Sequence, residues 1–181
     1  MQPFIIRDNE GVPLWLNNDT YTIKLDKENT GGNISIIQGF VGPGGGPIWH
    51  LHEDADEIFY VLDGQLTVRA GEIIFHANPG DFVYVPKGIY HQFRNNSIKP
   101  IKILLMFSPA GFEGFFRETG IVAKQGVIPP LHIHDAEANR RAIKIGGKYL
   151  SFVPDFETPM LIQICKKPKC REVFAAFLYY K

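Results

Sequence analysis

The feature that most constrains the fold is a run of short apolar stretches between Ile48 and Phe107, each ended within a few residues by turn-forming residues. The stretches are IWHLH, EIFYVL, QLTVRA, EIIFHA, DFVYVP, HQFRN and IKILLMF, and the turn signals DG, AG, NPG and PKG stand between several of them. Regularly spaced short strands separated by turns are typical of an all-β sandwich or barrel. No stretch with helical periodicity interrupts this region, so we expect it to be entirely β.

Two further strands are predicted ahead of this region. TYTIKL (Thr20–Leu25) and NISIIQGF (Asn33–Phe40) are rich in β-branched and aromatic residues, and the turn-like segment DKENTGG lies between them. Asp63-Gly64 is the strongest hairpin signal, because Asp-Gly accommodates the positive φ angles of a two-residue type I′ turn. The barrel core is therefore expected to cover about residues 20–108.

The residues after Pro109 change in character, which predicts short helices near the end of the chain. AGFEGFFRETG suits a helix that Gly120 ends, and Asp135–Gly147 has an acidic start, good helix formers and a glycine stop. We expect 109–181 to be a helical extension packed outside the sheet at one mouth of the barrel, since about seventy residues with interspersed prolines offer a thin core of their own. All 181 residues are thus assigned to one domain, although the sequence of the tail Pro159–Lys181 predicts no particular type of secondary structure.

The charge balance and composition argue against several classes of partner. Nineteen Lys and Arg residues match nineteen Asp and Glu residues, so nothing attracts the chain as a whole to nucleic acid or to an anionic membrane, and neither partner is expected. The segment MQPFIIRDNE has no sustained apolar run, which argues against a secretory signal there and makes a cytoplasmic location the expectation. Cys165 and Cys170 lack a second pair at zinc-site spacing and are interpreted as reduced thiols.

The segment GGGPIWHLHEDADEI places two histidines and a carboxylate where strand geometry brings them together. His50 and His52 project to the same face of a strand because side chains two residues apart do so, and Trp49 and Leu51 then point the other way. After the EDAD turn, Glu57 opens the next strand beside the histidine pair. A buried carboxylate without a partner is costly, whereas a divalent cation removes that cost, so this face is predicted to bind a metal.

Two spaced patterns extend this face across the centre of the chain. The first is Gly44, five residues, His50-x-His52, four residues, Glu57, six residues and Gly64. The second begins after fifteen more residues and is Gly80, five residues, Pro86-x-Gly88, two residues, His91, three residues and Asn95. These patterns resemble the two signature motifs of the cupin superfamily, and every signature position is filled. The resemblance covers roughly the central third of the chain and implies a double-stranded β-helix, or jelly-roll, barrel.

The resemblance implies that one divalent metal is held by four side chains, which are His50, His52, Glu57 and His91. Three imidazoles and one carboxylate suit iron, manganese, nickel, copper or zinc and do not suit a calcium-like site built from oxygen ligands. A five- or six-coordinate ion leaves one or two positions for water, dioxygen or a substrate oxygen. The alternative interpretation is that the histidines are hydrogen-bonded core or surface residues and that no metal binds.

The other signature positions have structural roles. Asn95 closes the second pattern, and Gly64 and Gly80 fit hairpin corners. The turn Pro86-x-Gly88 is rigid and is expected to aim His91 back into the barrel.

A longer resemblance narrows the expected function. HLHEDADEIFYVLDGQLTVRAG and PGDFVYVPKGIYHQFRN, followed by SPAGFEGFFRETG, resemble small single-barrel cupins described as quercetin 2,3-dioxygenase-like. This resemblance implies a dioxygenase acting on a flavonol or another small phenolic substrate, with Glu57 both a metal ligand and the acceptor of the hydroxyl proton. Two alternatives from other classes are a metal-dependent sugar isomerase or epimerase and a non-catalytic cupin that binds a small molecule. Oxygen consumption separates the dioxygenase from the isomerase.

Two aromatic residues are candidates for the substrate pocket. Phe59 and Phe93 each lie two residues beyond an implied ligand on their strands, so they share its inward face. They are expected to form an apolar wall beside the metal, and the alternative is that they are ordinary core residues.

The remaining histidines are not expected to bind metal. His76 has no acid or histidine at ligand spacing and is interpreted as an exposed strand residue. His132 and His134 imitate the metal pair, but they stand just before a helix start, where His134 or Asp135 can cap the helix.

The outward face of the same strands predicts an assembly. Trp49, Leu51, Ile58 and Tyr60 alternate with the inward residues and need to be covered. Strand exchange or sheet packing between two copies would cover them, so a twofold homodimer is expected, with coverage by the helices of the same chain as the alternative.

Overall fold

The computed structural model describes residues 2–17, 19–123, 142, 144–149 and 151–152. The strands within these ranges are β1 (Pro13–Leu16), β2 (Asp19–Leu25), β3 (Ser35–Val41), β4 (Leu51–His52), β5 (Asp56–Asp63), β6 (Leu66–Ala70), β7 (Ile73–Ala77), β8 (Phe82–Val85), β9 (His91–Arg94), β10 (Ile101–Ser108), β11 (Ile121–Val122) and β12 (Ser151–Phe152). Two helices, α1 (Lys27–Thr30) and α2 (Glu113–Thr119), and a 3-10 turn at Gly147–Tyr149 accompany them.

The strands form two main sheets that enclose one core. One sheet has the order β11-β1-β2-β3-β10-β5-β8, and the other has the order β7-β6-β9. A backbone bridge between His50 and His91 links the second sheet to β4, which pairs with β12. On β10, burial alternates along the strand, as expected when one face packs against the core. The prediction of an all-β jelly-roll barrel with short helices after it is confirmed.

The core lies between the two sheets. Phe59 on β5 and Phe93 on β9 meet across the barrel with ring centroids 5.5 Å apart. The buried apolar side chains around them come from both sheets and include Ile37, Val61, Leu66, Val68, Ile103 and Leu105. Because each such side chain contributes about 1.5–3 kcal/mol when it is removed from water, this core holds the two sheets in a fixed relation.

The prediction of a hairpin at Asp63-Gly64 is wrong. β5 pairs with β10 and β8, whereas β6 pairs with β7 and β9, so the chain crosses here from one sheet to the other. Gly64 does have a positive φ of 80°, and a Cβ at this position would overlap Cγ2 of Ile101. Glycine is therefore needed for a tightly packed crossing and not for a type I′ turn.

Gly80 likewise does not form a hairpin corner. It has a φ of 95° and lies between β7 and β8, which belong to different sheets. The two-residue hairpin of this region joins β6 to β7 at Gly71-Glu72, where Ala70 pairs with Ile73. Gly71 has a φ of 56°, in agreement with the glycine that a type II′ turn requires at its first central position.

The strands at the start of the barrel agree with the sequence, whereas two features there differ. β2 and β3 lie within one or two residues of the predicted positions, but the stretch IWHLH gives only the two-residue strand β4. The segment DKENTGG, predicted as a turn, contains the helix α1. Asp26 caps this helix by accepting hydrogen bonds from the backbone N–H groups of Glu28 and Asn29, and Gly31 ends it with a φ of 64°.

The helix predicted in AGFEGFFRETG is present as α2 and ends at Gly120 as expected. Residues 142 and 144–146 are also helical, within the predicted helix Asp135–Gly147. The rest of that helix, the tail Pro159–Lys181, and the residues His132, His134, Cys165 and Cys170 lie outside the described residues. In the part of the chain that is described, no helix is long and apolar enough to cross a membrane. The cytoplasmic location and the assignment of all 181 residues to one domain stay predictions.

Candidate metal centre

Backbone pairing between β9 and the residue just before β4 brings two of the predicted ligands together. His50 and His91 face each other in an antiparallel bridge. The backbone nitrogen of His50 lies 3.0 Å from the carbonyl oxygen of His91, and the nitrogen of His91 lies 2.7 Å from the carbonyl oxygen of His50. His52 follows two residues later on β4, so it shares the inward face of His50. Glu57 reaches the same point from β5 in the opposite sheet. The cluster, which we call the His–Glu cluster, therefore joins both sheets.

The four side chains of the His–Glu cluster converge on one buried point. One donor atom from each of His50, His52, Glu57 and His91 lies within 4.8 Å of the others. Oε2 of Glu57 is 2.6 Å from Nε2 of His91 and 3.2 Å from Nε2 of His52. The exposed fraction of these residues is between 1% and 8%. The structure thus brings together all four residues that the sequence singled out.

Backbone carbonyl groups orient two of the imidazoles. Nδ1 of His50 lies 2.8 Å from the carbonyl oxygen of Ile48, and Nδ1 of His91 lies 2.8 Å from that of Ile89. Because a carbonyl can only accept, Nδ1 carries the hydrogen in both rings. Nε2 is then the nitrogen directed to the centre of the cluster, an arrangement typical of histidines that bind metals.

The third histidine is held by packing. The ring of His52 contacts Phe107 and Phe112 edge-on, with centroid distances of 5.2 Å and 4.3 Å. Its buried Nδ1 has no hydrogen-bond partner among the described residues.

Burial and mutual contact set the charges in the His–Glu cluster. Burial, followed by repulsion from His91 and His52, lowers the pKa of His50 to about 3. Burial alone would raise the pKa of Glu57, but hydrogen bonds with His52 and His91 and their charges lower it below its ordinary value. For His91 burial opposes protonation, and the contact with Glu57 outweighs it and raises the pKa. The result is a neutral His50 and an anionic carboxylate.

These residues fit a divalent transition metal. A cation at the centre compensates the buried carboxylate and replaces the proton that His91 otherwise shares with it. The donor set combines imidazole nitrogens with one carboxylate, which suits transition metals better than calcium or magnesium.

A mostly apolar cavity of about 220 Å³ adjoins the His–Glu cluster. His50 and Glu57 form part of its wall. The apolar side chains in the wall include Phe93, Leu105, Phe107, Phe112, Phe115 and Phe116. The polar side chains among the described lining residues, besides the two cluster members, are Asn17, Asp19 and Tyr21. The site therefore combines an ion-binding centre with a space for an apolar ligand.

The two phenylalanines predicted for the pocket differ in position. Phe93 lines the cavity. Phe59 is fully buried and is not among the described lining residues; its ring lies 6.4 Å from that of His91 and supports the site from behind. Sequence reasoning missed Phe107 and Phe112. The alternation along β10 could have indicated Phe107, whereas Phe112 has no such local signal because it precedes α2.

Two other signature residues, Asn95 and Gly88, make hydrogen bonds that fix the backbone around the site. Nδ2 of Asn95 donates to the carbonyl oxygens of Val41 and Lys99 at 2.9 Å and 2.7 Å. The N–H of Gly88 donates to the carbonyl oxygen of His52 at 2.7 Å, so the turn before His91 is fastened beside the His–Glu cluster. His76 is exposed on β7.

The chain resembles known proteins. The family model described as "Cupin domain" matches residues 40–107. A quercetin 2,3-dioxygenase of Bacillus subtilis is 31% identical over 118 residues, which is 65% of this chain and 35% of that protein. An acireductone dioxygenase of Rhodopseudomonas palustris is 38% identical over 74 residues, which is 39% of this chain and 43% of that protein. The chain thus matches less than half the length of either dioxygenase.

The fold is shared with solved structures. A predicted oxalate decarboxylase from Thermotoga maritima superposes with a TM-score of 0.55 at 20% identity, covering 59% of this chain and 99% of that one. This likeness concerns the fold alone.

Proposed function

Residues 40–107 match the cupin domain, and from that premise we propose that the chain is a metal-dependent dioxygenase acting on a small phenolic or flavonol-like substrate. The observation that carries this proposal is the position of His50 and Glu57, two members of the His–Glu cluster, in the wall of a mostly apolar cavity. Two relatives named as dioxygenases support the same class of reaction.

The proposed metal ligands are Nε2 of His50, His52 and His91 and the carboxylate of Glu57. The ion is one divalent transition metal from the set iron, manganese, nickel, copper and zinc. When bound, it supplies positive charge that lowers the pKa of a phenolic hydroxyl group and an open position for oxygen chemistry.

The side chains of this chain supply binding, orientation and proton handling. Glu57 belongs both to the His–Glu cluster and to the cavity wall, and this double position supports our proposal that its carboxylate accepts the proton that a substrate hydroxyl releases. The aromatic side chains of Phe93, Phe107 and Phe112 give the substrate ring an apolar surface and exclude water from it.

The lining of the cavity favours a phenolic substrate over a sugar. A sugar offers a hydroxyl group on nearly every carbon, and each one needs a partner when it is buried. Outside the His–Glu cluster, the described part of the wall provides polar side chains only at Asn17, Asp19 and Tyr21. We therefore prefer the dioxygenase to the isomerase or epimerase, and binding without turnover is an outcome of the test below.

The test combines metal analysis with oxygen uptake. The protein is purified without chelator or affinity resin, its metal content is measured, and oxygen consumption is followed with a panel of phenols and flavonols. We expect about one transition metal per chain and oxygen consumption that His52→Ala abolishes. His76→Ala, which changes an exposed histidine outside the His–Glu cluster, is the matched control and keeps full activity. Tight binding of a phenol by the metal-loaded protein without any oxygen uptake would show a binding module instead.

We also propose that two copies form a twofold homodimer. Trp49, Leu51, Ile58 and Tyr60 are only half-buried in the single chain, so the helices of the described part do not cover them fully. Association of two copies would bury them further.

A further inference from the structure

A polar pair on β2 lies in the cavity wall apart from the His–Glu cluster. Asp19 and Tyr21 are two residues apart on the strand, so both face the cavity, and both are buried. The hydroxyl of Tyr21 donates a hydrogen bond of 3.0 Å to Oδ2 of Asp19. Neither residue contributes to the proposed ligand set, and a buried polar pair in an apolar wall requires an explanation.

The position of Asp19 is fixed by the loop that follows β3. Its carboxylate accepts hydrogen bonds from the backbone N–H groups of Gly42 at 3.1 Å and Gly46 at 3.0 Å. A Cβ at Gly45 would overlap Oδ1 of Asp19, so the loop wraps tightly around the carboxylate. Asp19 cannot turn away from Tyr21 without losing these contacts.

The ring of Tyr21 is fixed as well. Its centroid lies 4.8 Å from that of Phe116 on α2. On the other side, a Cβ at Gly39 would lie 3.3 Å from Cε1 of Tyr21, so the ring packs directly on the β3 backbone. Burial, followed by the charge of Asp19, raises the pKa of Tyr21 well above its ordinary value, which keeps the hydroxyl protonated. Since its hydrogen goes to Asp19, the oxygen of Tyr21 acts as an acceptor toward the cavity.

Tyr21 and the His–Glu cluster stand at different levels of the barrel. Tyr21 pairs with Gly39, which pairs with Ile103 on β10, whereas Glu57 pairs with Phe107 on the same strand. Four residues of β10, from Ile103 to Phe107, separate these two levels, which is roughly 13 Å along the strand. Tyr21 and the His–Glu cluster therefore meet the cavity at different heights, although the charge of Glu57 still acts on the Tyr21 hydroxyl.

The volume of the cavity is in the range of a small ligand. Drug-sized ligands occupy pockets of roughly 300–1,000 Å³, and a dry cavity of about 150 Å³ holds benzene. The cavity here measures about 220 Å³. This volume suits a single aromatic ring with small substituents.

We propose that the cavity takes a single-ring aromatic ligand with two oxygen substituents at opposite ends, one directed to the His–Glu cluster and the other a hydroxyl group that donates to Tyr21. Tyr21 is then a specificity-determining residue, and Asp19 is its positioning residue. The first half of this inference rests on the proposed function, because it takes the His–Glu cluster as the point where the phenolic oxygen binds.

The test compares two ligands that differ only at the far end. Hydroquinone and 4-methylphenol have similar size, but the methyl group of the second cannot donate a hydrogen bond. Binding to the metal-loaded protein is measured by titration calorimetry without oxygen. We expect hydroquinone to bind on the order of fivefold more tightly, the contribution of one hydrogen bond. If the parent protein binds hydroquinone and 4-methylphenol with equal affinity, the inference is wrong, and no variant is needed to show it.

A variant locates the effect. Tyr21→Phe removes only the hydroxyl oxygen, so hydroquinone should lose the fivefold advantage while 4-methylphenol binds as before. Tyr60→Phe, at a half-buried tyrosine that packs on Phe82, is the matched control and changes neither affinity. A Tyr21→Phe variant that lowers both affinities equally would indicate a purely structural role and contradict the inference.

Two further results separate this inference from the proposed function. If the hydroquinone advantage depends on Tyr21 but no phenol consumes oxygen, the dioxygenase proposal fails and the ligand class stands. If quercetin binds and consumes oxygen while single-ring phenols do not bind, the dioxygenase proposal stands and the ligand class is wrong.

Discussion

At the scale of single residues, Glu57 is the member of the His–Glu cluster that carries negative charge. It contacts two of the three histidines directly, at 2.6 Å and 3.2 Å. Loss of its carboxylate leaves imidazoles that are still oriented by backbone carbonyls and aromatic packing. The two functions that we propose for the site, ion binding and proton acceptance, therefore both depend on this one side chain.

We predict that Glu57→Ala weakens metal binding at least tenfold and leaves the fold intact, since the only anionic ligand is lost while the surrounding core remains. Metal affinity by competition with a chelator and far-UV circular dichroism check the two parts. Glu53→Ala removes an exposed acid from the turn between β4 and β5 and serves as the control. Its affinity for the metal should be unchanged. Equal metal content in the Glu57 variant and the parent would contradict the assignment.

Asp19 gives a prediction about pH. Burial raises its pKa from 3.8 to about 6 in the folded protein, although hydrogen bonds from Tyr21, Gly42 and Gly46 oppose the shift. Between pH 4 and 6 the native state keeps a proton that the unfolded chain has lost, so this group makes the protein less stable as pH rises through that range. The loss amounts to about 3 kcal/mol at most, because one pKa unit corresponds to about 1.4 kcal/mol.

The measurement is the free energy of unfolding in urea at pH 4, 5, 6 and 7 for the parent and for Asp19→Asn. The parent should lose stability relative to the variant between pH 4 and 6, and the difference should level off above pH 7. A constant difference across this range would show that Asp19 has an ordinary pKa.

At the scale of elements, the crossing between β5 and β6 depends on Gly64. Any larger residue there meets two penalties, a left-handed backbone with φ of 80° and overlap with Ile101. At Gly71, in the hairpin between β6 and β7, φ is 56° and nothing lies within 4 Å of an added Cβ. A substitution at Gly64 therefore carries both backbone strain and steric overlap, whereas one at Gly71 carries backbone strain alone.

We predict that Gly64→Ala costs about 2–5 kcal/mol of stability, the sum of the cost of the backbone conformation and that of overpacking. Gly71→Ala should cost only about 1–2 kcal/mol, because it carries the backbone cost alone. Urea unfolding of both variants under one set of conditions measures the difference. Equal losses would contradict the close contact between Gly64 and Ile101.

Local periodicity made part of this site predictable from the sequence. The alternation of side chains along a strand is fixed within a few residues, so the shared face of His50 and His52 follows from their spacing, whereas the place of His91 in the site was implied only by the resemblance to the cupin motifs. The sheet that each strand joins is set by distant partners instead, and the Asp-Gly signal at Asp63 predicted a hairpin where the chain changes sheets.

The cavity wall was harder to predict for the same reason. Phe112 and Tyr21 reach the cavity from segments far from the two motifs, and only the packing of α2 against β1, β2 and β3 brings them there. A short helix such as α1 also escapes a periodicity argument, because four residues make barely one turn.

At the scale of the whole molecule, apolar side chains are exposed on two strands that end their sheets. Ile73 and Ile74 on β7 are 59% and 56% exposed, and Phe82 and Tyr84 on β8 are 66% and 56% exposed. Strands at the edge of a sheet are ready to pair with another chain, and apolar edges favour it. The proposed homodimer can bury these edge residues as well as the half-buried outward face formed by Trp49, Leu51, Ile58 and Tyr60.

We predict that sedimentation at micromolar concentration gives a species of twice the 20.5 kDa chain mass. Phe82→Lys should shift the equilibrium toward the monomer, because it places a charge in the apolar edge. Ile98→Lys, at a side chain that is 92% exposed in the turn before β10, is the control and leaves the equilibrium unchanged. A single species at 20.5 kDa that does not change on concentration would rule out the dimer.

The most direct test of the central claim is anomalous diffraction from crystals of protein purified without chelator or affinity resin. We predict one transition metal, about 2.0–2.2 Å from Nε2 of each histidine in the His–Glu cluster and from a carboxylate oxygen of Glu57. A metal bound elsewhere, or any two of the four side chains directed out of the barrel, would contradict it.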